Sequence, residues 1–504
     1  MSAITEAVVP LRNTGRFFID GEWTKPTSDA VIDVIDSATE QLYFQVPEAQ
    51  PADMDLVIGA ARRAFDRGPW PRMTHAERAG YLRAMADMLE ARASDYSAIW
   101  PRESGVLYAI ATAGEPGNPE TLRFYTDLAD DYPFEEPFSP STTSMAGGGF
   151  GLLVREPVGV VGAIIPWNAP LPLILIKVAP ALLAGCTVIV KVSPEAPGAG
   201  YLIAEIAEEV GLPGGVLNVI TADREVSELM VRDHRVDKIA FTGSTAAGRK
   251  IGAICGERVA RCTLELGGKS AAVILDDADM NAAAMTLAGA ECFLSGQVCA
   301  SLTRIVVPRQ RHDEFADALA AAFSAVQVGD PFDAATQMGP LAMERQRDRV
   351  EHYIAKGIEE GATLVTGGGR LKHLKRGYYI ESTVFAGVGT KHVIAQEEIF
   401  GPVLSVIPAD NDQHAVDIAN DTIYGLNAAV FTPDAGRARQ VAGRLRSGTV
   451  GHNGMRIDFD IAFGGFKQSG VGREGGREGL LPQLVEQDGA AGRGADLAGT
   501  AISD

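Results

Sequence analysis

The chain has 504 residues, of which 46% are hydrophobic, enough apolar side chains to bury the cores of roughly two to four domains. Its 65 acidic and 45 basic residues give a formal net charge of −20, which would repel phosphates and excludes nucleic acid and anionic membranes as expected partners. The five cysteines are too few and odd in number for a disulfide framework, and the N-terminus shows no secretory signal, so a cytoplasmic location is expected.

Apolar spacing predicts helices and then strands in the first half of the chain. Residues 54–98 have apolar side chains at helical spacing and predict two helices. The stretch 159–190 is long enough to cross a bilayer, but its four prolines, Asn168 and Lys177 favour a buried strand, loop, helix and strand. Strand-like runs occur in the order VGVVGAII, TVIVKV, GVLNVI and KIAFTGS, with helical stretches between them. This alternation predicts right-handed crossovers around a parallel sheet.

A helix N-terminus and a second α/β region follow. The run KIAFTGS contains Gly243 near its end and precedes a helical stretch, so Ser244 lies at a helix N-terminus, where free N–H groups suit a phosphate. After Leu266 the runs AAVIL, RIVVP, ATLVTGG and AAVFT alternate with helical stretches such as 311–325. The sequence therefore predicts two α/β domains that meet near Glu265.

Several short motifs lack the context that their function requires. Gly470, Gly472 and Gly475 form a G-x-G-x-x-G, but no buried strand precedes them, so we interpret them as turn residues. The segment 268–270 resembles the end of a P-loop, yet Thr263 occupies the place of its first glycine. The histidines form no pair at ligand spacing and the cysteines no Cys-x-x-Cys, so no metal site is expected. A G-x-S-x-G elbow is absent as well.

Four separated segments together form a far more specific signal. They are PWNAP at 166–170, LELGGKS at 264–270, GQVCA at 296–300 and EEIFGPV at 397–403. In order and spacing the sequence resembles the aldehyde dehydrogenase superfamily, specifically its NAD(P)-dependent, non-acylating members, over about residues 16–480. The segments FTGSTAAG, REPVGVVGAI and FGGFKQSGVGRE support the resemblance.

The resemblance implies an α/β fold of two Rossmann-like parallel-sheet domains, for cofactor binding and catalysis, with a small β element for oligomerisation. We expect the cofactor-binding domain at 1–129 and 151–264, the catalytic domain at 265–465, and the oligomerisation hairpin and C-terminal tail at 130–150 and 466–504. A homodimer or homotetramer is expected. Pro482 and the run 488–498 suit the family's terminal interface strand poorly, so the tail is expected to depart from the family pattern.

The cysteine of GQVCA is the candidate nucleophile. Cys299 follows Ser295, Gly296 and Gln297, small or polar residues that suit an accessible loop-to-helix junction where a thiolate is favoured. By resemblance, Cys299 attacks the aldehyde carbonyl to give a thiohemiacetal, and hydride transfer to the nicotinamide then leaves an enzyme-bound thioester. The other cysteines are interpreted as inert buried side chains; they are Cys186, Cys255, Cys262 and Cys292.

Further catalytic roles are implied by the same motifs. The side-chain amide of Asn168 would bind the oxyanion together with the backbone N–H of Cys299. Glu265 matches the base that activates the hydrolytic water, and because acyl-CoA-forming members usually lack this Glu, a free acid is the expected product. Lys177 and Glu474 match positions that help proton relay, the alternative being a solvated Lys and a surface Glu.

The cofactor residues are assigned by resemblance. Lys191 would bind the adenosine ribose, Ser244 the pyrophosphate and Glu398 the nicotinamide ribose. The same cleft would be lined by Ile165, Trp167, Ser193, Gly243 and Phe400. Pro194 stands where many members have the glutamate that binds the ribose hydroxyls, and this removes one barrier to a 2′-phosphate. NAD is therefore the expected cofactor, with NADP left open.

The substrate tunnel follows from the same alignment of motifs. Its expected lining is Ala169, Leu173, Ile176, Phe293, Val298 and Phe463. These side chains are apolar and predict a medium or bulky apolar or aromatic aldehyde. Arg456 and His452 near the mouth offer an alternative, an acidic semialdehyde. Two further alternatives are a thiol esterase that uses the same Cys299 and Glu265, and a non-catalytic scaffold.

Overall fold

The computed structural model describes residues 8–138 and 151–490. Its α-helices are α1 (Pro51–Arg67), α2 (His75–Ala91), α3 (Ala93–Ser104), α4 (Tyr108–Ala113), α5 (Gly117–Asp131), α6 (Pro170–Ala184), α7 (Gly198–Glu209), α8 (Arg224–Arg232), α9 (Thr245–Glu257), α10 (Met280–Cys292), α11 (His312–Ser324), α12 (Glu344–Glu359), α13 (Val393–Gln396), α14 (Asp412–Asn420) and α15 (Ala435–Ala442). Its strands are β1 (Phe17–Ile19), β2 (Glu22–Thr24), β3 (Val31–Asp36), β4 (Gln41–Pro47), β5 (Glu135–Phe138), β6 (Gly151–Pro157), β7 (Val160–Ile164), β8 (Thr187–Val192), β9 (Leu217–Thr221), β10 (Lys238–Thr242), β11 (Arg261–Glu265), β12 (Ala271–Ile274), β13 (Arg304–Pro308), β14 (Thr363–Thr366), β15 (Thr383–Ala386), β16 (Val403–Ala409), β17 (Asn427–Phe431), β18 (Thr449–His452), β19 (Gly470–Val471) and β20 (Leu484–Ala490).

The first sheet has the strand order β19-β11-β10-β7-β8-β9-β1-β2. The strands from β11 to β9 are parallel, whereas β1, β2 and β19 pair antiparallel. The chain passes from β7 to β8 and β9 on one side, then returns to β10 and β11 on the other. The strand order therefore reverses between β7 and β10, and in open α/β sheets ligands bind outside the carboxyl ends of the strands at such a point.

The second sheet has the order β14-β15-β16-β13-β12-β17-β18 and is parallel except for β14. It begins soon after the first sheet's β11 ends at Glu265, as the sequence predicted. The prediction of an α/β fold with parallel-sheet domains is confirmed. The domain boundaries themselves stay predictions, because strands and helices do not by themselves fix where one domain ends.

The apolar stretch 159–190 forms β7, a loop, α6 and β8. Helix α6 packs against β8, α2 and α5, which explains why it is apolar on nearly all sides. Pro170 is its first residue, a position where the missing N–H costs nothing, and Gly185 ends it with φ 102°. Among the residues that the structure describes, no helix is long and apolar enough to cross a membrane.

The prediction of two helices over 54–98 is wrong, because three helices occupy this region. Pro69 and Pro71 follow the end of α1 and separate it from α2. Arg92 then interrupts the helical path between α2 and α3 with φ −109° and ψ 16°. Its guanidinium pairs with the buried Glu205 of α7 at 2.8 Å, so a contact distant in sequence accompanies the break.

A small antiparallel sheet has the order β20-β6-β5, and a second one pairs β3 with β4. The C-terminal segment was expected to suit a strand poorly. For the residues up to Ala490 this expectation is wrong, because Leu484–Ala490 pairs with Gly151–Pro157 along its whole length. Pro482 lies in a 3-10 turn before the strand, so it removes no hydrogen bond from the ladder. Most of the predicted hairpin, 139–150, and the rest of the tail lie outside the described residues.

Candidate active site

The carboxyl ends of four parallel strands bring the predicted site residues to one edge of the first sheet. Ile165, Trp167 and Asn168 follow β7, Lys191 and Ser193 lie at the end of β8, Gly243 and Ser244 follow β10, and Glu265 ends β11. The backbone ties these ends together: Ile165 N–H donates to the carbonyl of Lys191, and Gly243 N–H donates to the carbonyl of Glu265, both at 3.0 Å. The residues therefore meet at the point where the topology predicts a ligand site.

The loop that contains Asn168 is held by helix α3. Trp100 donates from Nε1 to the carbonyl of Asn168 at 2.8 Å, and Ser104 donates from Oγ to the carbonyl of Trp167 at 2.6 Å. The side-chain Nδ2 of Asn168 donates to the carbonyl of Gln297 at 2.9 Å. The amide is thus fixed between the first sheet and the loop that contains Cys299. Sequence analysis missed Trp100 and Ser104, since neither lies in a motif.

Cys299 lies in a turn between α10 and β13, not at the loop-to-helix junction that was expected. Before it, Leu294, Ser295 and Gly296 adopt left-handed φ values of 51°, 54° and 72°. Gln297 supports this conformation, because its Oε1 accepts from the N–H of Ala342 and its Nε2 donates to the carbonyl of Leu294, both at 2.9 Å. Buried hydrogen bonds therefore define the path of the loop.

Gly268, the second glycine of LELGGKS, lies very close to the backbone of the cysteine turn. A methyl group on Gly268 would lie 2.2 Å from the carbonyl oxygen of Cys299. Only glycine therefore lets the segment after Glu265 pass beside the cysteine turn. Cys299 and Glu265 belong to motifs that are distant in sequence, and this contact places them on neighbouring segments.

The electrostatics of Cys299 differ from the sequence expectation of a favoured thiolate. Burial, followed by the negative charges of Glu398 and Glu265, raises the pKa of the thiol to about 12. The backbone N–H groups of Cys299 and Ala300 act in the opposite direction, because they stabilise a thiolate. The expectation was wrong because the loop composition gives no information on burial or on the charges of Glu398 and Glu265.

Glu265 is buried at the end of β11 with 3% of its surface exposed. Within the described part of the chain, neither of its carboxylate oxygens has a hydrogen-bond partner. Burial and then the charge of Glu474 raise its pKa well above the ordinary value, while Lys177 and Arg473 act to lower it. A carboxyl group with a raised pKa suits a general base that works near neutral pH.

Lys177 and Glu474 form a buried ion pair beside Glu265. Their Nζ and Oε2 are 2.5 Å apart, and Lys177 also donates to Oγ1 of Thr242 at 2.6 Å. Both side chains are almost completely buried. The alternative of a solvated lysine and a surface glutamate is therefore wrong, and proton relay or structural support of the site stays the prediction for the pair.

The adenosine end of the predicted cofactor cleft contains a charged cluster. Burial lowers the pKa of Lys191 to about 8, while the nearby Glu195 and Asp223 act to raise it. Glu195 accepts a hydrogen bond from Ser193 and pairs with Arg345 of α12 at 2.5 Å. Pro194 lies between Ser193 and Glu195 in a turn closed by the Ala196 N–H and the Ser193 carbonyl at 3.2 Å. The carboxylate is thus present one residue later than the family pattern.

Ser244 caps the N-terminus of α9, where its Oγ accepts from the N–H of Ala247 at 3.3 Å. At the other end of the cleft, the carboxylate of Glu398 accepts from the N–H of Gly268 at 3.1 Å, and burial raises its pKa to about 7. The rings of Trp167 and Phe400 meet edge to face with centroids 5.3 Å apart. The predicted cofactor residues of the first sheet therefore lie at or just after its strand ends and before α9, whereas Glu398 and Phe400 lie in the loop between α13 and β16.

Only part of the predicted apolar lining belongs to the hydrophobic cluster that contains Cys299. Four of its six predicted members belong to the same continuous hydrophobic cluster as Cys299, namely Ala169, Phe293, Val298 and Phe463. Sequence analysis missed Met455, Ile457 and Phe459 of that cluster, and the ring of Phe459 lies 5.4 Å from that of Phe463. The other two predicted members lie on α6, where Leu173 is half-buried and Ile176 is buried. Neither belongs to this cluster as it is formed by the described residues.

The basic residues proposed for an acidic substrate are exposed. His452 donates from Nε2 to the carbonyl of Thr432 at 2.8 Å at the end of β17 and β18. The backbone carbonyl of Arg456 accepts from Nδ2 of Asn427 at 2.8 Å, while the Arg456 residue itself is exposed. These positions give an acidic substrate less support than the apolar cluster gives an apolar one.

Comparison with known proteins agrees with this geometry. The sequence model of the Aldehyde dehydrogenase family matches residues 23–484. The chain belongs to the aldehyde dehydrogenase family. This confirms the resemblance drawn from the four motifs, and with it an oxidoreductase that acts on aldehydes.

Individual members of the aldehyde dehydrogenase family are similar over most of their length. Geranial dehydrogenase of Castellaniella defragrans is 44% identical over 92% of this chain and 96% of its own. A 3-succinoylsemialdehyde-pyridine dehydrogenase of Pseudomonas sp is 40% identical over 93% and 97%. The crystal structure of a Mycobacterium tuberculosis aldehyde dehydrogenase complexed with NAD+ superposes with a TM-score of 0.91 at 44% identity, covering 95% of this chain and 98% of that one.

Proposed function

We propose that this aldehyde dehydrogenase oxidises a medium or bulky apolar or aromatic aldehyde to the free carboxylic acid through a covalent intermediate on Cys299. The observation that most supports this is the hydrogen bond from Asn168 to Gln297, which holds an amide donor beside the Cys299 turn. Glu265, buried at the end of the neighbouring strand, supplies a base. Nucleophile, oxyanion donor and base thus lie on three adjoining segments.

In the first step, Sγ of Cys299 attacks the carbonyl carbon of the aldehyde. The thiol must first lose its proton, and the backbone N–H groups of Cys299 and Ala300 favour this because they stabilise the thiolate. The carbonyl oxygen becomes an oxyanion, which the second N–H of the Asn168 amide and the backbone N–H of Cys299 stabilise. Since the first N–H of Asn168 is fixed on Gln297, the second keeps its direction before the charge forms.

The residues present fit NAD. Lys191 provides a buried ammonium, Ser193 a hydroxyl, and α9 the free N–H groups of a helix N-terminus next to Ser244. Lys191 and Ser193 would hold the adenosine ribose, Ser244 the pyrophosphate and Glu398 the nicotinamide ribose. When bound, NAD accepts the hydride that leaves the former aldehyde carbon, so that a thioester remains on Cys299.

In the second step, Glu265 accepts a proton from a water that attacks the thioester carbon. The acid leaves and the Cys299 sulfur is reprotonated. The Lys177–Glu474 pair lies beside Glu265 and, by its opposite effects on the Glu265 pKa, adjusts when that carboxyl holds its proton. Lys177 and Glu474 are therefore assigned to the base rather than to the carbonyl.

The substrate class rests on the hydrophobic cluster that contains Cys299. Ala169, Phe293 and Phe463 supply an apolar surface with one small side chain, which suits a large apolar group. Among similar proteins, a Pseudomonas syringae aldehyde dehydrogenase, 37% identical, was crystallised as a mutant with NAD+ and octanal, with a TM-score of 0.91 over 96% of this chain and 98% of that one. An acidic semialdehyde is the second candidate, for which the exposed His452 and Arg456 are the basic side chains.

The assembly and location belong to this proposal too. We expect a homodimer or homotetramer in the cytoplasm, with the β20-β6-β5 sheet as the oligomerisation element. Within residues 8–138 and 151–490, β20 and β5 are the outer strands of this sheet, and their outer edges are where a second copy would pair. Sedimentation velocity of the full chain would give the number of subunits, and a monomer would contradict the assignment.

The experiment that tests the proposed function is nicotinamide reduction with aliphatic, aromatic and acidic aldehydes, with NAD and NADP in parallel. We expect the highest kcat/KM with NAD and a bulky apolar or aromatic aldehyde, and no reduction by Cys299→Ala. A preference for acidic aldehydes would select the semialdehyde alternative. Ester hydrolysis without any nicotinamide reduction would select the esterase, and cofactor binding without any turnover a scaffold.

A further inference from the structure

The loop between α13 and β16, residues 397–402, contains the predicted cofactor residues Glu398 and Phe400, and helix α12 binds its backbone. Gln346 of α12 donates from Nε2 to the carbonyl of Phe400 at 2.6 Å and to that of Ile399 at 3.2 Å. Arg349 donates from Nε to the carbonyl of Ile399 at 3.2 Å and from Nη2 to that of Glu398. Two side chains of one helix thus bind three consecutive carbonyls of the cofactor loop.

The conformation of the cofactor loop needs this support. Phe400 has a left-handed φ of 65°, which an aromatic residue adopts only where its surroundings enforce it. Gln346 is buried with 7% of its surface exposed, so little water competes for its hydrogen bonds. A methyl group on Gly401 would lie 2.4 Å from Cγ2 of Val350 on α12. The loop therefore lies directly against the first two turns of α12.

The cofactor loop also contacts the turn that contains the nucleophile. A methyl group on Gly296, three residues before Cys299, would lie 2.4 Å from the carbonyl carbon of Gly401. The same turn is bound to the segment just before α12, because Oε1 of Gln297 accepts from the N–H of Ala342 at 2.9 Å. Residues 342–350 therefore contact both the cofactor loop and the cysteine turn, and they define how far apart the two lie.

We propose that Gln346 and Arg349 are positioning residues for hydride transfer, which hold the cofactor loop at a fixed distance from the Cys299 turn. The inference rests on the proposed function, in which Glu398 binds the nicotinamide ribose. Each residue acts through the backbone of the loop rather than on the reacting atoms. Hydride transfer is sensitive to such placement, because a displacement of about 1 Å can cost roughly 100-fold in rate.

The second half of the reaction should not depend on this support. Glu265, the proposed base for thioester hydrolysis, ends β11 in the first sheet. The carboxylate of Glu398 is also bound by the N–H of Gly268 at 3.1 Å, so losing the contacts with α12 loosens the cofactor loop without releasing it. We therefore expect a variant of Gln346 to slow hydride transfer and to leave hydrolysis unchanged.

A binding experiment tests the positioning role without any aldehyde. Gln346→Glu keeps the shape of the side chain but replaces the Nε2 donor with an oxygen that faces two carbonyls. Titration calorimetry of the full-length protein compares NAD with ADP, which lacks the nicotinamide ribose. We expect the Kd of NAD to rise about tenfold and that of ADP to stay unchanged. Glu359→Gln, the reverse exchange at an exposed position in the last turn of α12, should alter neither Kd.

Rapid-mixing kinetics separate the two chemical steps. With NAD and an apolar aldehyde, the rate of the NADH burst should fall about 10- to 100-fold in Gln346→Glu and in Arg349→Met. The burst should also become slower with the 1-deuterated aldehyde, whereas the decay of the acyl-enzyme should keep its wild-type rate. Arg349→Lys retains a donor and the positive charge, so it should recover part of the burst rate.

The two experiments distinguish this proposal from the proposed function. If the wild-type protein binds NAD but gives no burst with any apolar aldehyde, the proposed function fails, and the comparison of NAD with ADP alone decides the positioning role. An unchanged Kd for NAD in Gln346→Glu, or an equal rise for NAD and ADP, would overturn the role. Equal slowing of the burst and of acyl-enzyme decay would overturn it as well. Arg349→Met, at an exposed position, provides the same comparisons if Gln346→Glu does not fold.

Discussion

The Nδ2 of Asn168 donates a hydrogen bond to the carbonyl oxygen of Gln297 at 2.9 Å, two residues before Cys299. The backbone carbonyl of Asn168 in turn accepts from Trp100. One asparagine therefore links helix α3, the loop after β7 and the cysteine turn. An amide fixed at both its backbone and its side chain needs little reorganisation when charge forms beside it.

We expect Asn168→Ala to lower kcat about 100- to 1,000-fold, the usual effect of removing one oxyanion donor. The affinity for NAD, measured by fluorescence titration, should stay unchanged because Asn168 is not among the assigned cofactor residues. Asn281→Ala, an exposed substitution on α10, is the matched control and should leave kcat unaltered. A loss of NAD affinity as large as the loss of kcat would contradict the assigned role.

Trp100→Phe tests the support of Asn168 from α3. The substitution keeps an aromatic ring next to Tyr96, against which Trp100 stacks at 5.3 Å, but removes the Nε1 donor. We expect kcat to fall roughly 5- to 10-fold and the free energy of unfolding to fall by about 1–3 kcal/mol, because a buried carbonyl loses its partner. Urea denaturation and steady-state kinetics measure the two effects. An unchanged kcat at reduced stability would limit Trp100 to a structural role.

The pH dependence of thioester hydrolysis should report Glu265. This carboxyl must be ionised to accept a proton from water, so the rate should rise with pH through an apparent pKa well above that of an ordinary glutamate. Glu474→Gln removes a negative neighbour and lowers the pKa of Glu265. The acidic limb of the pH–rate profile should therefore move to lower pH by about 1 pH unit. Lys177→Met removes a positive neighbour and should move this limb to higher pH.

Opposite shifts from the two variants are the decisive feature of this prediction. Stopped-flow measurement of acyl-enzyme decay between pH 5 and 9 separates hydrolysis from hydride transfer. Glu478→Gln, an exposed charge change on the same segment, is the control. Shifts in the same direction, or none, would mean that the ion pair does not set the ionisation of Glu265.

Glu195→Gln should change the choice between NAD and NADP. The Glu195 carboxylate lies near Lys191 and pairs with Arg345, so its removal leaves cations where a 2′-phosphate would be placed. We expect the Kd for NADP, measured by titration calorimetry at pH 7, to fall about tenfold, with little change for NAD. Glu208→Gln on α7 is the matched control, and an equal gain for both cofactors would contradict the prediction.

Sequence patterns predicted the strands and the helix of the region 159–192 closely because these elements are buried in a parallel sheet, where apolar runs have few alternatives. The conformation of the cysteine turn could not be predicted in the same way. The left-handed backbone at Leu294 and Ser295 accompanies contacts of Gln297 with Ala342, which is distant in sequence. Tertiary context, rather than local composition, decides that turn.

The acidity of the catalytic thiol could not be predicted from the sequence either. Burial and then the charges of Glu398 and Glu265 make the thiol of Cys299 less acidic. Both carboxyl groups come from other segments of the chain, so a motif can identify a cysteine without giving its ionisation. The motifs therefore predict candidate site residues, whereas they do not predict the charge states of those residues.

Glu265→Gln should allow the thioester on Cys299 to be trapped, because the variant lacks the base for its hydrolysis. One equivalent of a bulky apolar aldehyde with NAD should give a burst of one NADH per subunit, followed by slow turnover. The tryptic peptide 270–304 should gain the mass of the aldehyde less two hydrogens, at Cys299, and the same variant with Cys299→Ala should show neither burst nor adduct. A burst of NADH without any adduct on that peptide, or with the adduct on another residue, would contradict the account.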